Sequence, residues 1–436
     1  MANQFLNAQE YANSMLLLLK NQLVYGRLVD GQFKDQVTDE NGLTINVKRP
    51  PRFVAKTGAT LQAQDLVTGT MPVTVDQYKN VHISVGDLEY VQSFNALMQN
   101  ETMKSVASTL AHDVDKFIAG QTLKFHSWVA GGAPGVGGIN TSDPTKIIAS
   151  PSQAMGAHTR LMAQGVPNVD LRGVVTFNDG ESIRGSLLSS FTPEINVSML
   201  ERVRIPIISE IDWYATQQSP ALTVGTRAAT GASQVNGGAQ NVNYRDVKGG
   251  PGTVGMVQTF LMKNLTAGHT VKKGEVFSIA NVFAWDWRNQ QVLEYLQQFT
   301  ILADAVADGA GLLTVSISPA IIVQGTSDGT STDANSAFGT VGTIPADSAA
   351  ITWVGVASSI CRVRSAFHKR AISLVSARLQ MPFTGVASYA TDPDTGIAIR
   401  YWRGSDITTG AHVHRWDMIY GAEVMDRFLG TRITGT

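Results

Sequence analysis

The chain has 436 residues, 43% of them hydrophobic and 16% charged, a composition that predicts a globular protein of two or three domains with ample core. With 34 basic and 35 acidic residues its formal net charge is −1, so it lacks the positive excess of proteins that grip a phosphate backbone. Cys361 is the only cysteine, which excludes an intrachain disulfide. With no recognisable signal peptide or membrane-length apolar run, we expect a soluble protein made inside the cell.

The first 85 residues predict an arm followed by strands. Residues 1–42 begin with an amphipathic segment and continue as a polar stretch rich in turn signals. Residues 43–48 alternate apolar and polar side chains, the pattern of a half-buried strand. Two further strands are predicted at 71–75 and 81–85.

The segment between the first two strands predicts a long loop, from about residue 49 to residue 70. It contains Pro50-Pro51 and has little periodicity, and loops longer than about 12–15 residues are usually functional. Basic residues outnumber acidic ones in and beside it, so it is either a solubilising loop or an arm that reaches an acidic partner. Candidate acidic partners elsewhere in the chain are Asp30, Asp35, Asp39, Glu40, Asp113 and Asp115.

The clearest predicted element is a helix over residues 87–119, a stretch without Gly or Pro. At 1.5 Å per residue it would be about 50 Å long, the length of a spine rather than of an ordinary core helix. A bend is predicted near 99–102, and Gly120 is the predicted stop. Apolar residues spaced by three or four along one face are Met103, Val106, Leu110, Val114 and Phe117.

Residues 123–222 have α/β character, with a predicted helix at 151–164 and a strand at 173–177. Two Gly-rich, charge-poor stretches then follow at 225–255 and 325–342, and both predict flexible borders. Short strand-like runs lie between them, at 256–262, 276–279, 300–307 and 314–317. This order indicates a β-rich domain inserted into an α/β host domain, whose pattern resumes at 351–357 and 370–379.

Motifs for cofactors and metals are weak in this chain. The GxGxxG pattern that starts at Gly250 lacks the hydrophobic strand before it and the helix after it that dinucleotide binding needs. His412 and His414 share a predicted strand face but lack a complete ligand set, although Asp406 or Asp417 could contribute. The turn that begins at Asp392 departs from the calcium-loop pattern. We therefore predict neither a cofactor nor a metal site.

Catalytic motifs are equally weak. Cys361 is the single thiol and His368 follows seven residues later, but closeness in sequence says little about whether the two side chains meet. A cysteine next to Ile360 is more often a small buried apolar residue. The HExxH and Walker A patterns are absent from the sequence. We predict no catalytic residue.

The order of elements resembles the HK97-like major capsid fold: an arm, a long two-stranded loop, a spine helix, and an α/β domain interrupted by a β-domain. Three passages are similar to the coat protein family of phage P22 and its relatives. Residues 264–279 resemble the inserted domain, residues 366–382 the return into the A-domain, and residues 415–433 the C-terminal closure.

This resemblance implies an α+β fold that can be divided along the chain. The predicted segments are an N-terminal arm (1–42), the E-loop with its flanking strands (43–85), the P-domain spine helix (86–122), the first part of the A-domain (123–224), the inserted β-domain (225–345), the A-domain return (346–391) and the C-terminal P-domain strands (392–436).

The resemblance also implies a non-enzymatic major capsid protein that assembles in the host cytoplasm into an icosahedral phage head. Implied partners are many copies of the same chain, a scaffolding protein, a portal and packaged double-stranded DNA held by weak, non-specific contact; a decoration protein is possible. No cofactor and no membrane are implied. The alternatives are an α/β enzyme with a β insertion and an encapsulin-type shell of a non-viral compartment.

For a shell subunit, the loop would be expected to cross onto a neighbouring copy. It has too few apolar residues to form its own core, so it is either mobile or docked on another surface. Candidate inter-subunit contact residues are Lys48, Arg49, Arg52, Phe53, Lys56 and Leu61.

Overall fold

The computed structural model describes residues 8–33, 42–59, 63–86, 101–130, 148, 151–188, 205–227, 233–328, 331–406 and 410–434. The helices are α1 (Ala8–Gln22), α2 (Tyr25–Leu28), α3 (Met103–Gln121), α4 (Pro151–Ala163), α5 (Phe177–Leu188), α6 (Tyr244–Val247) and α7 (Asp333–Ala337), with 3-10 turns at Thr122–Lys124, Lys369–Ala371 and Arg427–Leu429.

The strands are β1 (Thr44–Lys48), β2 (Thr70–Thr74), β3 (Gln77–Gly86), β4 (Ser127–Ala130), β5 (Leu171–Val175), β6 (Asp212–Ala215), β7 (Ala221–Thr223), β8 (Gln234–Val235), β9 (Gln258–Lys263), β10 (Thr270–Val271), β11 (Val276–Asp286), β12 (Gln291–Ile301), β13 (Ala305–Val306), β14 (Leu313–Ser318), β15 (Ile351–Trp353), β16 (Ile360–Arg362), β17 (Arg364–His368), β18 (Ile372–Ala377), β19 (Val386–Thr391), β20 (Ala398–Asp406), β21 (Ala411–Val424) and β22 (Gly430–Thr434).

The chain divides into two compact units, each built from three separate stretches. The first unit comprises Met1–Ile45, Pro72–Gln121 and Ile372–Glu423, and the second comprises Asn46–Met71, Thr122–Ala371 and Val424–Thr436.

In the first unit, two helices pack through apolar stripes. Tyr11, Met15 and Leu19 recur every four residues on α1 and are buried, because α1 packs on α3 and on strands β19 and β20. The carboxylate of Asp115 on α3 accepts hydrogen bonds from the backbone N–H groups of Val24 (2.7 Å) and Gly26 (2.9 Å). The segment between α1 and α2 is thereby tied to α3.

The sheet of the first unit has the order β18-β21-β20-β19, and β3 also pairs with β21. The antiparallel ladder between β21 and β3 runs from Ala411 opposite Gly86 to Tyr420 opposite Gln77. Tyr401 and Trp416 are both buried, with ring centroids 5.5 Å apart. These aromatic side chains form the core on one face of the sheet.

The second unit contains a mixed five-stranded sheet in the order β4-β22-β17-β5-β6. Strand β22 lies between β4, to which it is parallel, and β17, to which it is antiparallel. Helix α4 packs on β4, β17 and β22, and α5 packs on β6. A buried ion pair joins Arg364 on β17 to Asp179 on α5 at 2.7 Å, so both charges have a partner.

The second unit also contains a six-stranded sheet in the order β15-β11-β12-β14-β9-β8. Its core includes Phe260, Phe277, Phe299 and Trp353, and the ring centroid of Phe277 lies 5.3–5.9 Å from those of the other three. Pairs at this spacing add stability beyond their buried area. Five of its six strands lie within the block predicted at 225–345, and β15 lies beyond it.

Arg432 on β22 ties that sheet to the five-stranded one. Its buried guanidinium donates hydrogen bonds to the backbone oxygens of Gly274, Leu123 and Phe125, the last at 2.6 Å, and lies 5.3 Å from the ring centroid of Trp128. Burial lowers the pKa of Arg432 to about 9.

The predicted spine helix is observed in its C-terminal part. Helix α3 begins at Met103, and residues 87–100 lie outside the described residues. Met103, Val106, Leu110 and Val114 are buried as predicted, while Phe117 is partly buried and contacts the ring of Tyr420 edge-on at 5.6 Å. Gly120 does not stop the helix, which continues to Gln121 before a 3-10 turn.

Two expectations for the inserted block were wrong. The single strand predicted at 300–307 is two separate pieces, because β12 ends at Ile301 and the short β13 spans Ala305–Val306. The two Gly-rich stretches are more than flexible borders, because they pack on each other: the ring of Tyr244 stacks on that of Phe338 at 3.7 Å and 6°, and the backbone N–H of Tyr244 donates to Asn335 Oδ1 at 2.8 Å.

Candidate assembly site on the loop between strands β1 and β2

In the loop from Arg49 to Gly69 the described residues, 49–59 and 63–69, form two facing legs and contain no strand. At its base the Arg49 N–H donates to Gly69 O at 2.8 Å. Further out, the Gln64 side chain accepts from Val54 N–H at 3.0 Å and donates to Val54 O at 2.5 Å. The amide of Gln64 therefore replaces a pair of strand hydrogen bonds and holds the two legs of the loop together.

Arg52 is a half-buried charge on the loop. Its guanidinium lies 4.5 Å from the ring centroid of Trp287 and 5.4 Å from that of Phe338, and 3.8 Å from the Asp426 carboxylate. Burial lowers the pKa of Arg52, and the Asp426 charge acts against that shift. A guanidinium stacked on two rings beside a carboxylate is a strong local anchor.

Two further ion pairs fix the loop. Lys56 pairs with Asp333, and Asp65 accepts from Arg245 at 2.7 Å. Arg245 also donates to the buried Asp328 carboxylate at 2.5 Å, so its guanidinium bridges two acids. Side chains on the loop therefore meet opposite charges at three separate points.

We call the surface that receives the loop the cradle. It consists of Arg245, Trp287, Asp333, Phe338 and Asp426. Beneath it lies an apolar cluster that includes Tyr244, Met256 and Phe338, and the loop packs Val54 and Val67 against this cluster.

The predicted inter-subunit contact residues lie in different surroundings: some contact the cradle, and others are exposed to solvent. Arg52 and Lys56 bind the cradle, whereas Lys48 is exposed at the end of β1. Arg49 approaches the Met71 sulfur at 3.6 Å, and Phe53 keeps 55% of its surface exposed. Leu61 lies outside the described residues.

The acidic residues proposed from the sequence as partners of the loop were candidates on a neighbouring copy, and that contact stays a prediction; within the described chain those that can be placed have other partners. Asp113 pairs with Lys79 at 3.2 Å and accepts from the Tyr420 hydroxyl at 3.0 Å, while Asp115 is buried and bonded to backbone N–H groups. Asp30 accepts from Gln32 N–H at 3.1 Å. Asp35, Asp39 and Glu40 lie outside the described residues.

The cradle residues were missed because no local pattern marks them. Asp333 and Asp426 are far from the loop in sequence and sit among 35 acidic residues. Trp287 lies just past β11, and nothing in its local sequence distinguishes it from an ordinary surface aromatic residue. Its role is visible only from its contact with Arg52. The only available signal was the basic character of the loop itself.

The residues of the weak catalytic, metal and calcium-loop motifs have ordinary structural contacts. The Cys361 thiol is buried, and burial raises its pKa to about 11. His414 Nδ1 is 2.7 Å from the Tyr401 hydroxyl, and His412 Nδ1 is 2.8 Å from Ser405 Oγ. Asp392 accepts from Thr395 N–H (3.0 Å) and Oγ1 (2.6 Å), closing its own turn.

Across the part of the chain that the structure describes, no group of three or more His, Cys, Asp or Glu side chains is arranged to hold a metal ion. None of the helices described has both the length and the apolar character needed to cross a bilayer.

Comparison with known proteins identifies the chain. A family model described as P22 coat protein, gene protein 5, matches residues 213–435, slightly more than half of the chain. The chain belongs to the P22 coat protein family. It is therefore a major capsid protein that forms the phage head and resides in the virion, and the predicted α+β fold is confirmed.

Solved structures similar to this P22-type coat protein also come from phages. The structure titled Mycobacterium phage Che8 has 14% identity and a TM-score of 0.43, covering 94% of this chain and 91% of that one. The capsid of Ralstonia phage GP4 has 7% identity and a TM-score of 0.45, with 99% and 92% covered. The CUS-3 coat protein I-domain has 26% identity and a TM-score of 0.21, covering 30% of this chain and all of that one. A search of curated proteins gave no match.

Proposed function

We propose that copies of this coat protein assemble in the host cytoplasm into an icosahedral shell that encloses double-stranded DNA. The observation that carries the proposal is the family match over residues 213–435. A scaffolding protein and a portal are the proposed assembly partners, and a decoration protein on the outer surface is possible. The family is structural, which argues against the enzyme alternative.

The charge of the chain supports weak rather than tight contact with the packaged DNA. Its formal net charge is −1, and counterion release, which drives tight binding to DNA, needs many basic side chains on one face. A shell that neither attracts nor repels DNA strongly lets the packaged molecule move during entry and exit.

We also propose the division into segments that the sequence indicates, with residues 225–345 as the inserted β-domain, and the loop as a contact between subunits. The six-stranded sheet supports the inserted domain, although its edge strand β15 reaches Trp353, beyond that boundary. The loop supports a docking role because Arg52, Lys56 and Asp65 are bound to other elements rather than to each other.

Electron microscopy of the purified, self-assembled protein is the direct test. Closed particles support the proposal, and double-stranded DNA inside particles from infected cells separates a phage head from a non-viral compartment. If the protein gives only monomers or small oligomers in the presence of its scaffolding protein, the proposed assembly is wrong.

The role of the loop is tested by replacing Arg49, Arg52 and Lys56 together with alanine. Exposed ion pairs contribute about 0–1 kcal/mol each, but the loss is repeated in every subunit. We expect slower assembly, or shells that dissociate at lower salt than the parent, because salt screens the remaining charged contacts. The control variant replaces three lysines outside the loop, Lys104, Lys116 and Lys369, with alanine. It therefore loses the same number of positive charges as the loop variant. Equal salt tolerance of the loop variant and the parent would contradict an electrostatic role.

A further inference from the structure

The sheet of the first unit has one face that packs on α1 and another that is open to solvent. On the covered face, the ring of Tyr401 lies 5.3 Å from that of Tyr11 on α1. Strand β3 shows the open face by alternation, because every second residue along it is exposed: Tyr78, Asn80, His82 and Ser84. Successive side chains of a strand point to opposite faces, so these four share the open one.

Two rows of side chains cross the open face. The first row consists of Tyr389 on β19, Arg400 on β20, Asp417 on β21 and Asn80 on β3. The second row, in the same strand order, consists of Ala387, Trp402, Arg415 and His82. Residues that stand opposite one another on paired strands have side chains on the same face. Aromatic rings and guanidinium groups are therefore interspersed on a surface four strands wide, which is roughly 14 Å at about 4.8 Å per strand.

A buried carboxylate fixes two of the cations on this face. Asp417 is fully buried and accepts hydrogen bonds from Arg400 Nη2 at 2.5 Å and from Arg415 Nε at 2.6 Å. Arg378, just past β18, is exposed, and its guanidinium carbon lies 5.2 Å from the ring centroid of Tyr389. Three arginines against one aspartate leave an excess of two positive charges on and beside the two rows.

The rings lie within reach of these cations. The guanidinium carbon of Arg415 is 5.9 Å from the ring centroids of both Tyr78 and Trp402. Trp402 Nε1 donates to Thr384 O at 3.0 Å, which fixes the edge of the indole ring. The Tyr78 side chain is 42% exposed. Such a face offers both stacking surfaces and positive charge to a partner.

Single-stranded nucleic acid has the chemistry that uses both features. Its unpaired bases stack on aromatic side chains, and its phosphates bind arginine. A duplex keeps the faces of its bases inside its own stack, so it would use the cations alone. An acidic peptide would likewise use the cations but has no base to place on the rings. The combination of rings and arginines thus favours an unpaired strand over either of the other polyanions.

We propose that this face binds single-stranded nucleic acid without sequence preference. We call it the platform, and it consists of Tyr78, Arg378, Tyr389, Arg400, Trp402 and Arg415. Bases stack on Trp402 and Tyr78, while phosphates bind the exposed parts of Arg415 and Arg378. DNA and RNA share bases and phosphates, so both are expected to bind. The activity goes beyond shell formation and does not depend on it.

Fluorescence anisotropy of the full-length, unassembled chain with labelled oligothymidine of about 15 nucleotides tests the proposal. We expect saturable binding that weakens about sevenfold between about 50 and 200 mM salt, the dependence for two phosphate contacts on a single strand. Oligouridine of the same length should bind equally well. A duplex of that length and a polyglutamate peptide should each bind about tenfold more weakly or worse, since neither can stack on the rings. If either binds as tightly as the single strand, the platform is not a stacking surface and the proposal is wrong.

Two substitutions on the platform and one on the opposite face of the same strand locate the site. Trp402→Leu is expected to weaken binding about tenfold through the loss of one stacking ring, and Arg378→Gln severalfold through the loss of one phosphate contact. Arg403→Gln is the matched control, because Arg403 is exposed on β20 but stands opposite His414 on the covered face. We expect its affinity to equal that of the parent. Equal losses in Arg403→Gln and Arg378→Gln would show that net charge, not the platform, drives binding.

Photo-cross-linking of the parent chain gives a readout that no folding defect of a variant can affect. An oligonucleotide that carries 5-iodouracil is bound and irradiated, and the cross-linked peptides are identified by mass spectrometry. Cross-links are expected at Trp402 and Tyr78. Cross-links confined to other peptides would overturn the platform while leaving shell assembly, judged separately by electron microscopy, unaffected.

Discussion

Replacing Gly421 by alanine tests how closely strand β21 approaches the turn between β2 and β3. A Cβ atom at this position would lie 2.0 Å from Thr74 O, 2.8 Å from Thr74 C and 2.8 Å from Val75 Cα. All three obstacles are backbone atoms, so no side chain can rotate away. Since ordinary contact begins at 3.4 Å, the two segments have to separate by about 1.4 Å.

Overpacking of this kind costs about 1–3 kcal/mol, and we expect about 3 kcal/mol here because the backbone itself has to move. For a unit of about 150 residues, such a loss lowers the melting temperature by roughly 6–12 °C. Scanning calorimetry of the unassembled subunit measures this shift, and hydrogen exchange of the peptide that contains β21 locates it.

Gly404→Ala is the matched control in the same sheet. A Cβ atom at Gly404 meets nothing within 4 Å, so the same chemical change should leave stability unchanged or raise it by about 0.4–1 kcal/mol. The steric reasoning fails if Gly421→Ala melts within a degree of the parent, or if both variants lose the same stability.

Three further expectations follow from buried residues. Leu110→Pro should prevent shell assembly, seen as a loss of particles in electron microscopy, because a proline inside α3 costs about 3 kcal/mol and kinks the helix. Burial raises the pKa of Asp115 to about 6 in the folded chain, so the folded state binds a proton more tightly than the unfolded one. Stability should therefore increase by up to roughly 3 kcal/mol as the pH falls from about 6 to about 4, and Asp115→Asn should flatten this dependence in calorimetry. Cys361 should resist maleimide at neutral pH until the chain unfolds, as read by mass spectrometry, because its thiol is buried and its pKa is raised to about 11.

Elements with a periodic apolar face could be predicted from the sequence, because burial of that face is what stabilises them. Helix α3 follows from Met103, Val106, Leu110 and Val114, which recur every three or four residues and are all buried. Strand β12 was misplaced because polar residues are buried on it. Gln298 is 3% exposed and exchanges two hydrogen bonds with the backbone of Trp128, at 2.7 and 2.9 Å, a partner 170 residues away.

The candidate site was only half predictable for a similar reason. The length and basic character of the loop predicted a contact with an acidic patch on a neighbouring subunit, which stays a prediction, and within the chain Arg52 and Lys56 bind carboxylates. Which carboxylates could not be derived, since Asp333 and Asp426 are brought to the loop by tertiary folding. The stacking of Arg52 on Trp287 has no local signature at all.

The division of each compact unit into three stretches of chain bears on the order of folding. Both units form only when segments hundreds of residues apart come together. Contacts between distant segments slow folding because the intervening chain loses loop-closure entropy before those contacts form. The strands of the six-stranded sheet, in contrast, all come from the single stretch 234–353. That sheet can pair completely while the segments before and after it are still unpaired, and it then holds the ends of those segments close enough to find each other.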